Sequence, residues 1–354
     1  MTPRTAALVV GMAAGVTLVG ATLEYASRAD ALAENPAPGR LVDVGAGRRI
    51  QIDCRGSGSP TVVFESGLDN FGSLAWASVH DSIAKNTRAC AYSRAGIMWS
   101  DPVVPANRRE PAIDLHTALT VSGERPPYVM VAHSLGGPYT LAFTKRYGTD
   151  VHGIVFVDAT NPDQFPRYEA AVGKSIMPTP TMVRIGAALA WTGILRVLPS
   201  PAPPSSWPEE VRKIAPAFLP RSIGALAEET AAIPRTIDRA RDARALGDRP
   251  VIVLSAGEPN PAADLELMGL TAEQGAKLFA AHQTVAADMA TWSTHARLEQ
   301  VAGANHYIQF DRPDAVIRAV NEVVRYVIAD GTGAGRGGLR GMGRRVPVDR
   351  AGAP

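Results

Sequence analysis

Ser134 lies in a stretch whose residue types suit a nucleophile. The sequence VMVAHSLGGPY predicts a buried strand, a tight turn at the serine and then a helix. Small residues two positions on either side of such a serine, here Ala132 and Gly136, let the backbone turn sharply and expose the hydroxyl oxygen. The N–H groups at the start of the helix favour negative charge that develops beside the serine. The pattern therefore predicts nucleophilic chemistry at Ser134.

His306 has a position that suits the partner of such a serine. It lies in VAGANHYIQFDRP, between a predicted strand at 297–301 and an amphipathic helix that begins near Arg312. A histidine on this kind of loop can take the proton of Ser134 and return it to a leaving group. The remaining histidines have no comparable position: His80, His116, His133, His152, His282 and His295. The sharp turn after His133 should direct its ring away from the nucleophile.

Short apolar runs alternate with helical stretches from residue 40 onward. Strands are predicted at 40–45, 48–55, 61–65, 88–92, 128–133, 153–158, 251–255 and 297–301. Helices are predicted at 74–84, 112–121 and 137–147. This alternation is typical of a mostly parallel sheet that is covered by helices on both faces.

Residues 159–249 interrupt the alternation. They separate two adjacent predicted strands by far more chain than a crossover needs, so we expect an inserted helical subdomain. Within it, residues 182–198 (MVRIGAALAWTGILRVL) predict one apolar helix, which the Pro-rich sequence PSPAPPSSWP ends. This helix either packs inside the insertion or forms a lid or a membrane-facing surface beside the substrate entrance.

These motifs resemble those of the α/β-hydrolase superfamily, from about residue 40 to residue 328. The chain looks most like exported or membrane-anchored bacterial serine ester hydrolases that carry a GHSLGG-type nucleophile elbow. The segments that match are VFESGLDNFGSLAW at 63–76, YSRAGIMWS at 92–100, VAHSLGG at 131–137 and GANHYI at 303–308. The resemblance implies an α/β fold whose eight-stranded, mostly parallel sheet is flanked by helices, with a helical cap inserted after the sixth strand.

The resemblance leaves the triad acid open among several carboxylates. The position after the seventh strand that holds an aspartate in many relatives is Asn260 here. Some relatives carry the acid at the end of the sixth strand, which corresponds to Asp158, and we expect this residue to serve. Glu258 is the alternative acid, followed by Asp163 and Asp264.

The resemblance also assigns the oxyanion hole to two backbone N–H groups, those of Leu68 and Leu135. The chain departs from the family pattern at Ser66, where relatives usually carry His, and at Ser93 and Met98 in the YSRAGIMWS segment. Because the oxyanion hole is made of backbone groups, the change at Ser66 should matter little. The changes at Ser93 and Met98 should affect the packing of their loop rather than the chemistry.

Composition excludes several other classes of protein. The chain has 36 Lys+Arg residues and 34 Asp+Glu residues, and its net charge of +2 lacks the strong positive charge that is typical of proteins that bind nucleic acid. The two cysteines lack the paired spacing of a zinc site, and we predict neither a metal nor a cofactor. The resemblance places Cys54 and Cys90 on neighbouring strands, where they form either a disulfide or two buried thiols.

The N-terminal residues 5–23 carry no charge and span about 28 Å as a helix, which is close to the hydrocarbon thickness of a bilayer. Arg4 precedes the run and acidic residues follow it, so we expect a single-pass anchor with the catalytic domain outside the cytoplasm. Secretion after signal cleavage near Ala31-Leu32-Ala33 is the alternative. The predicted organisation is an anchor or signal with a linker at 1–34, a hydrolase core at 35–158 and 250–330, a cap at 159–249 and a disordered Gly/Arg-rich tail at 331–354.

Together these features predict a serine hydrolase that cleaves small carboxylic esters, with apolar acyl or alcohol groups, through an acyl-enzyme. Thioesterase, lactonase and amidase activities use the same triad and stay open. A catalytically silent hydrolase-fold module that binds a lipid or a partner protein at the cell envelope is the alternative from another class, and the departures at Ala132, Ser93, Met98 and Asn260 favour it. The sequence does not determine the oligomeric state.

Overall fold

The computed structural model describes residues 2–103, 109–198 and 203–331, which fold around one eight-stranded sheet. In chain order the strands are β1 (Arg40–Gly45), β2 (Arg48–Arg55), β3 (Thr61–Glu65), β4 (Arg88–Ser93), β5 (Tyr128–His133), β6 (Val151–Val157), β7 (Gly247–Ala256) and β8 (Ser293–Val301). Their order across the sheet is β1-β2-β4-β3-β5-β6-β7-β8. Strand β2 pairs antiparallel with β1 and β4, and the other neighbours pair parallel. The predicted mostly parallel sheet is confirmed, whereas the predicted tail lies, from residue 332 on, outside the described residues.

Helices cover both faces of this sheet. They are α1 (Pro3–Glu34), α2 (His80–Ala84), α3 (Pro111–Val121), α4 (Gly136–Arg146), α5 (Gln164–Val172), α6 (Pro180–Leu189), α7 (Glu209–Arg241), α8 (Ala262–Leu267), α9 (Ala272–Met289), α10 (Ile308–Asp311) and α11 (Pro313–Gly331). One half of the core lies between the sheet and α3, α4 and the end of α9, and the other half lies between the sheet and α2 and α11. The single helix predicted at 74–84 is instead a 3₁₀ turn, Gly72–Trp76, followed by α2.

The central strands explain why functional side chains meet at one edge of the sheet. Every residue of β3 and β5 is buried, as expected for parallel strands with helices on both faces. Strands β5 and β6 run side by side with His133 opposite Val157. The residues that follow these two strands, Ser134 and Asp158, therefore emerge together at the carboxyl edge of the sheet.

The helical insertion between β6 and β7 contains α5, α6 and α7. Helix α6 is shorter than the sequence predicts, because two 3₁₀ turns, Ala190–Thr192 and Ile194–Arg196, replace its second half at Gly193. The long helix α7 contains three interior prolines, which the sequence rules would place at helix ends. It stays helical because its buried face, including Phe218 and Ile233, packs against the hydrolase core.

Helix α1 continues past its uncharged stretch and packs against the insertion. Glu24 is 2% exposed and forms ion pairs with Arg28 and Arg196, both at 2.6 Å. Ala31 is buried in a cluster with Phe218 of α7, so residues 24–34 form part of the folded structure rather than a linker.

Cys54 and Cys90 face each other across β2 and β4 and are joined by a disulfide bond. Of the two possibilities that the sequence leaves open, the structure therefore has the disulfide. The bond links the antiparallel part of the sheet to its parallel part, away from the carboxyl edge that carries Ser134 and Asp158.

Candidate active site

Ser134 occupies a sharp turn between β5 and α4. Its φ angle is +51°, a left-handed conformation that non-glycine residues rarely adopt outside such functional turns. The turn requires glycine at position 136, because a Cβ atom there would lie 2.5 Å from the carbonyl oxygen of Glu65. Ala132, which replaces the usual first glycine, is fully buried in β5 and still allows the turn.

His306 lies directly beside this serine. Its Nε2 atom is 3.0 Å from Ser134 Oγ, on the loop between β8 and α10 where the sequence places it. The side chain is 44% exposed, so the serine and the histidine face solvent while their supports are buried. With a proton on Nδ1, Nε2 accepts the hydrogen bond of the serine hydroxyl, which is the arrangement that a general base needs.

Asp158 bonds the other ring nitrogen of His306, so that Ser134, His306 and Asp158 form one hydrogen-bonded series. Its Oδ2 atom lies 2.7 Å from His306 Nδ1, and it is itself held at a φ of +44° just after β6. Its Oδ1 atom accepts from the Ala256 N–H and lies 2.8 Å from His282 Nε2. Burial by itself would raise the pKa of Asp158, but the charges and hydrogen bonds of His282 and His306 lower it far below the ordinary value. Asp158 is therefore a carboxylate throughout the physiological range.

The structure does not bring the other candidate acids to His306. Glu258 accepts a hydrogen bond from the Gly303 N–H at an exposed position. Asp163 pairs with Arg241 and Arg244. Asp264 is exposed on α8. Of the four candidate carboxylates, Asp158 has the contact with His306.

Two backbone N–H groups remain available next to the serine. The chain at Gly67 approaches so closely that a Cβ atom there would lie 2.9 Å from Ser134 Cβ, which brings the neighbouring Leu68 to the nucleophile. Leu135 follows the serine and is the N-cap residue of α4. In the part of the chain that the structure describes, neither N–H donates to a protein acceptor. This arrangement suits an oxyanion hole.

His282 is a functional candidate that the sequence analysis missed. It lies in the middle of α9 and points to Asp158, while its Nδ1 atom is 2.8 Å from the hydroxyl of Tyr168. In the neutral ring, Nδ1 accepts from Tyr168 and the Nε2–H donates to Asp158. Burial would lower the pKa of His282, but the charge of Asp158 outweighs it and raises this pKa. No local motif marks His282, because the contact depends on how α9 packs on the sheet.

His133 supports the loop that carries His306. Its Nε2 atom lies 2.9 Å from the His306 carbonyl oxygen, and the two rings are 4.6 Å apart. Burial lowers the pKa of His133 to about 3, so the ring is neutral and its Nε2–H donates to that carbonyl. His133 packs beneath His306 and does not bond the Ser134 hydroxyl.

Arg94 connects the oxyanion turn to the helical insertion. It donates to the carbonyl oxygens of Ser66 and Gly67, and it pairs with Glu65 in β3 and, through two bonds of 2.8 Å, with Glu229 in α7. The guanidinium is 4% exposed. A buried bidentate pair of this kind fixes geometry, so Arg94 links the position of the turn at Gly67 to that of α7.

Asp69 adds a second buried carboxyl beside the oxyanion turn. Burial raises its pKa to about 6, although Oδ1 accepts from the Phe71 N–H. Its Oδ2 atom has no partner among the described residues. A change of pH between about 4 and 6 therefore alters the charge next to the turn at Gly67.

An aromatic cluster lies next to His306. Tyr307 packs against Trp207 at 4.7 Å and against Phe71 at 5.7 Å between ring centres. Phe310 contacts the same tryptophan at 4.7 Å. Trp207 belongs to the insertion, whereas the other three rings belong to the core. The two parts of the molecule thus form an apolar wall beside the exposed serine and histidine.

A cavity of about 910 Å³ lies elsewhere, between the end of β4, α3, α4 and α7. Arg94 and Tyr139 line it, but Ser134, Asp158 and His306 do not. Because the chemistry requires the triad, we take the exposed face at Ser134, and not this cavity, as the candidate active site.

Several known proteins share part of this chain's sequence or its fold. An uncharacterised protein of Schizosaccharomyces pombe is 41% identical over 78 residues, which cover 22% of this chain and 15% of that protein. The chain spans less than half of the length of the curated relatives it matches. An esterase from Thermogutta terrifontis has the same fold, with a TM-score of 0.54 and 19% identity over 82% of this chain and 99% of the esterase. Est816, described as an N-acyl homoserine lactone degrading enzyme, gives a TM-score of 0.52 and 17% identity over 80% of this chain and 99% of Est816.

The match that covers most of the chain is to a family rather than to one protein. The sequence profile of the Alpha/beta hydrolase family matches residues 38–319, which include the sheet, the insertion and all three residues of the hydrogen-bonded series. The chain therefore belongs to the alpha/beta hydrolase family.

Proposed function

We propose that the protein is a serine hydrolase that cleaves carboxylic esters, with an apolar acyl or alcohol group, through an acyl-enzyme. The observation that carries this proposal is the unbroken hydrogen-bonded series from Ser134 through His306 to Asp158, at 3.0 Å and 2.7 Å. The series starts at a solvent-facing hydroxyl and ends on a buried carboxylate, as nucleophilic catalysis by serine requires.

In the first half of the reaction, Ser134 Oγ attacks the ester carbonyl carbon while His306 Nε2 takes the hydroxyl proton. The carbonyl oxygen becomes an oxyanion, and the N–H groups of Leu68 and Leu135 stabilise it. Asp158 stabilises the imidazolium that forms at His306. When the tetrahedral intermediate collapses, the bond to the alcohol oxygen breaks and His306 donates its proton to the departing alcohol.

In the second half, water takes the place of the alcohol. His306 removes a proton from this water, whose oxygen attacks the acyl carbon bound to Ser134. The second tetrahedral intermediate uses the same two N–H groups. Its collapse returns the proton from His306 to Ser134 Oγ and releases the carboxylic acid, so the enzyme regains its starting state.

The surroundings of the triad support an apolar substrate. Phe71, Trp207, Tyr307 and Phe310 form the apolar wall next to His306, and this wall can contact an alkyl chain that extends from the reacting carbonyl. Thioesters, lactones and amides pass through the same intermediates, and a substrate panel separates these activities. A silent binding module is disfavoured because its chain would have no need to keep the nucleophile, the base, the acid and the oxyanion turn in a catalytic arrangement.

We further propose that α1 anchors the protein in a membrane with the catalytic domain outside the cytoplasm. Among the described residues, α1 is the one helix long and apolar enough to cross a bilayer. The burial of Glu24 and Ala31 favours an uncleaved anchor, because cleavage after Ala33 would leave Arg196 without its partner Glu24. The disulfide between Cys54 and Cys90 suits an oxidising compartment.

The test is hydrolysis of p-nitrophenyl esters from acetate to palmitate by the full-length chain in detergent. We expect turnover by the unmodified protein, labelling by a fluorophosphonate probe, and a loss of both in Ser134→Ala. Equivalent panels of thioesters, lactones and amides measure the competing activities. The acyl chain length with the highest kcat/KM indicates how long an alkyl chain the apolar wall accommodates.

The control is Ser93→Ala, which alters a buried serine at the end of β4 that bonds Gln51 in β2 rather than His306. This variant should keep its reaction with the probe. A correctly folded protein that neither turns over any ester nor reacts with the fluorophosphonate would overturn the proposal and favour the binding module.

A further inference from the structure

The insertion carries an apolar surface that the rest of the described chain does not cover. Helix α6 has no buried residue, and Met182 is 73% exposed, while Val197 in the following segment is 76% exposed. We call this set of exposed side chains the α6 surface: Met182, Ile185, Leu189, Trp191, Val197 and Leu198. Contiguous exposed apolar side chains of this kind mark a contact with a partner or a membrane.

The segment that carries the α6 surface contains basic residues and no acidic ones, while Glu24, the acidic partner of Arg196, lies on α1. Residues 170–208 contain Lys174, Arg184 and Arg196, and no aspartate or glutamate. An ordinary soluble surface mixes both signs at short intervals. Apolar side chains together with cations and without acids suit the interface of a bilayer that contains anionic lipids.

The contact with α1 sets the depth of the α6 surface. The backbone at Gly20 lies so close to the Thr192 carbonyl oxygen that a side chain would not fit there, and a Cβ atom at the next residue, Gly193, would lie 3.0 Å from the Gly20 carbonyl oxygen. Gly20 lies about 5 Å along the helix from Leu23, the last residue of the uncharged stretch. When α1 spans a membrane, the turn at 190–192 therefore lies at the outer boundary of the hydrocarbon, with Glu24 and Arg196 just beyond it.

We propose that the α6 surface inserts into the outer leaflet beside α1, and that the enzyme takes its ester substrate from the bilayer. This inference rests on the proposed ester hydrolase activity and on the proposed anchor. We take the bilayer as the partner of the α6 surface, because this surface adjoins α1, the helix proposed to cross the bilayer, and lies at the level of the outer hydrocarbon boundary. Trp191 occupies the level at which tryptophan is enriched in membrane proteins.

The chain also connects the α6 surface to the active site. Eight residues of sequence separate Leu198 from Trp207, whose ring packs against Tyr307 next to His306. An alkyl chain that leaves the leaflet at the α6 surface thus meets the apolar wall on the same insertion. The inferred substrate class is an ester whose acyl or alcohol chain partitions into the membrane.

The test uses the full chain reconstituted in vesicles of phosphatidylcholine and phosphatidylglycerol. p-Nitrophenyl palmitate in the vesicles and p-nitrophenyl acetate in water share a leaving group, so their rate ratio isolates delivery from the membrane. In the triple variant Met182→Gln/Ile185→Gln/Val197→Gln, we expect this ratio to fall about tenfold. The matched control Val121→Gln/Leu267→Gln removes exposed apolar side chains on α3 and α8 and should keep the ratio.

A second measurement is independent of catalysis. Brominated lipids in the same vesicles should quench Trp191, so the quenched part of the fluorescence should disappear in Trp191→Phe. The inference is overturned if the quenching persists in Trp191→Phe, or if the palmitate-to-acetate rate ratio is unchanged in the triple variant. It is also overturned if the unmodified chain is a dimer that the triple variant converts to a monomer. Quenching of Trp191 without turnover of either ester would instead refute the proposed hydrolase activity and leave the membrane contact standing.

Discussion

The carboxyl edge of the sheet and the α6 surface of the insertion are built in opposite ways. At the edge, Asp158 is buried and meets three donors, and Ser134 and Asp158 both have positive φ angles that the surrounding strands enforce. On the insertion, no residue of α6 is fully buried. The proposed chemistry thus depends on a region in which polar groups are paired. The proposed delivery of substrate from the membrane depends on a region whose apolar side chains are left exposed by the rest of the described chain.

The comparison predicts its largest effect at Asp158. In Asp158→Asn, the ring of His306 loses the carboxylate that orients it and stabilises its positive charge, so we expect kcat to fall about 10⁴-fold. The matched control is Glu258→Gln, whose carboxyl lies near the same edge but bonds the Gly303 N–H. Ester hydrolysis by the two purified variants is the measurement. Equal losses in both would contradict the assignment of the acid.

The next effect concerns the connection between the two regions. Arg94→Met would leave Glu65 and Glu229 buried without their partner, which should destabilise the fold by about 3–5 kcal/mol. Arg94→Lys should also destabilise it, because lysine cannot form the bidentate bond to Glu229. Chemical unfolding in detergent measures both variants. If Arg94→Met unfolds at the same denaturant concentration as the unmodified chain, the arginine does not connect the regions.

A pH-dependent effect is predicted at Asp69. Because burial raises the pKa of Asp69 to about 6, the folded chain binds more protons than the unfolded chain between about pH 4 and 6. Its contribution to stability therefore decreases as the pH rises through this window, by about 3 kcal/mol in total.

In Asp69→Asn this pH-dependent loss of stability disappears, so the variant should be more stable than the unmodified chain at pH 8 but not at pH 4. Melting temperatures of both proteins at several pH values measure the difference. Asp101→Asn is the control in which the pH dependence should have the opposite sign, because the hydrogen bonds and charge of Arg49 outweigh burial and lower the pKa of Asp101. Parallel pH curves for Asp69→Asn and the unmodified chain would refute the prediction.

The smallest effect is expected at His282, which acts on the reaction through Asp158. In His282→Ala, Asp158 loses one of its donors, and we expect kcat to fall about tenfold, the equivalent of one hydrogen bond to a charged group. His282→Gln can still donate to Asp158 and should recover most of the rate. If both variants lose the same activity, His282 serves only the packing of α9.

The parts of the site that depend on neighbouring residues could be predicted from the sequence. Ser134 lies between an apolar strand and a helix with Gly136 after it, and His306 follows a strand on a loop. Both patterns are local, since the strand, the turn and the helix start are all encoded within about ten residues. The same holds for the eight strands, whose apolar runs reflect burial on both faces.

The parts that depend on distant segments could not be predicted. Four carboxylates were compatible with the sequence, and the bond between Asp158 and His306 exists because β6, β7 and the loop after β8 meet within 3 Å. His282 reaches the same carboxylate from α9 without any motif. Helix α7 contains three interior prolines, a residue type that favours a break, and packing against the core keeps it helical.

The sequence by itself predicted Ser134 and His306 as site residues, the order of strands and helices along the chain and the apolar N-terminal helix, because each is a local pattern of side-chain size and polarity. Only the tertiary structure decided which acid meets His306, that His282 and Arg94 support the site, and that α1 and the α6 surface lie side by side. These are contacts between segments far apart in the chain, and their distances are set by close packing, which no single segment encodes.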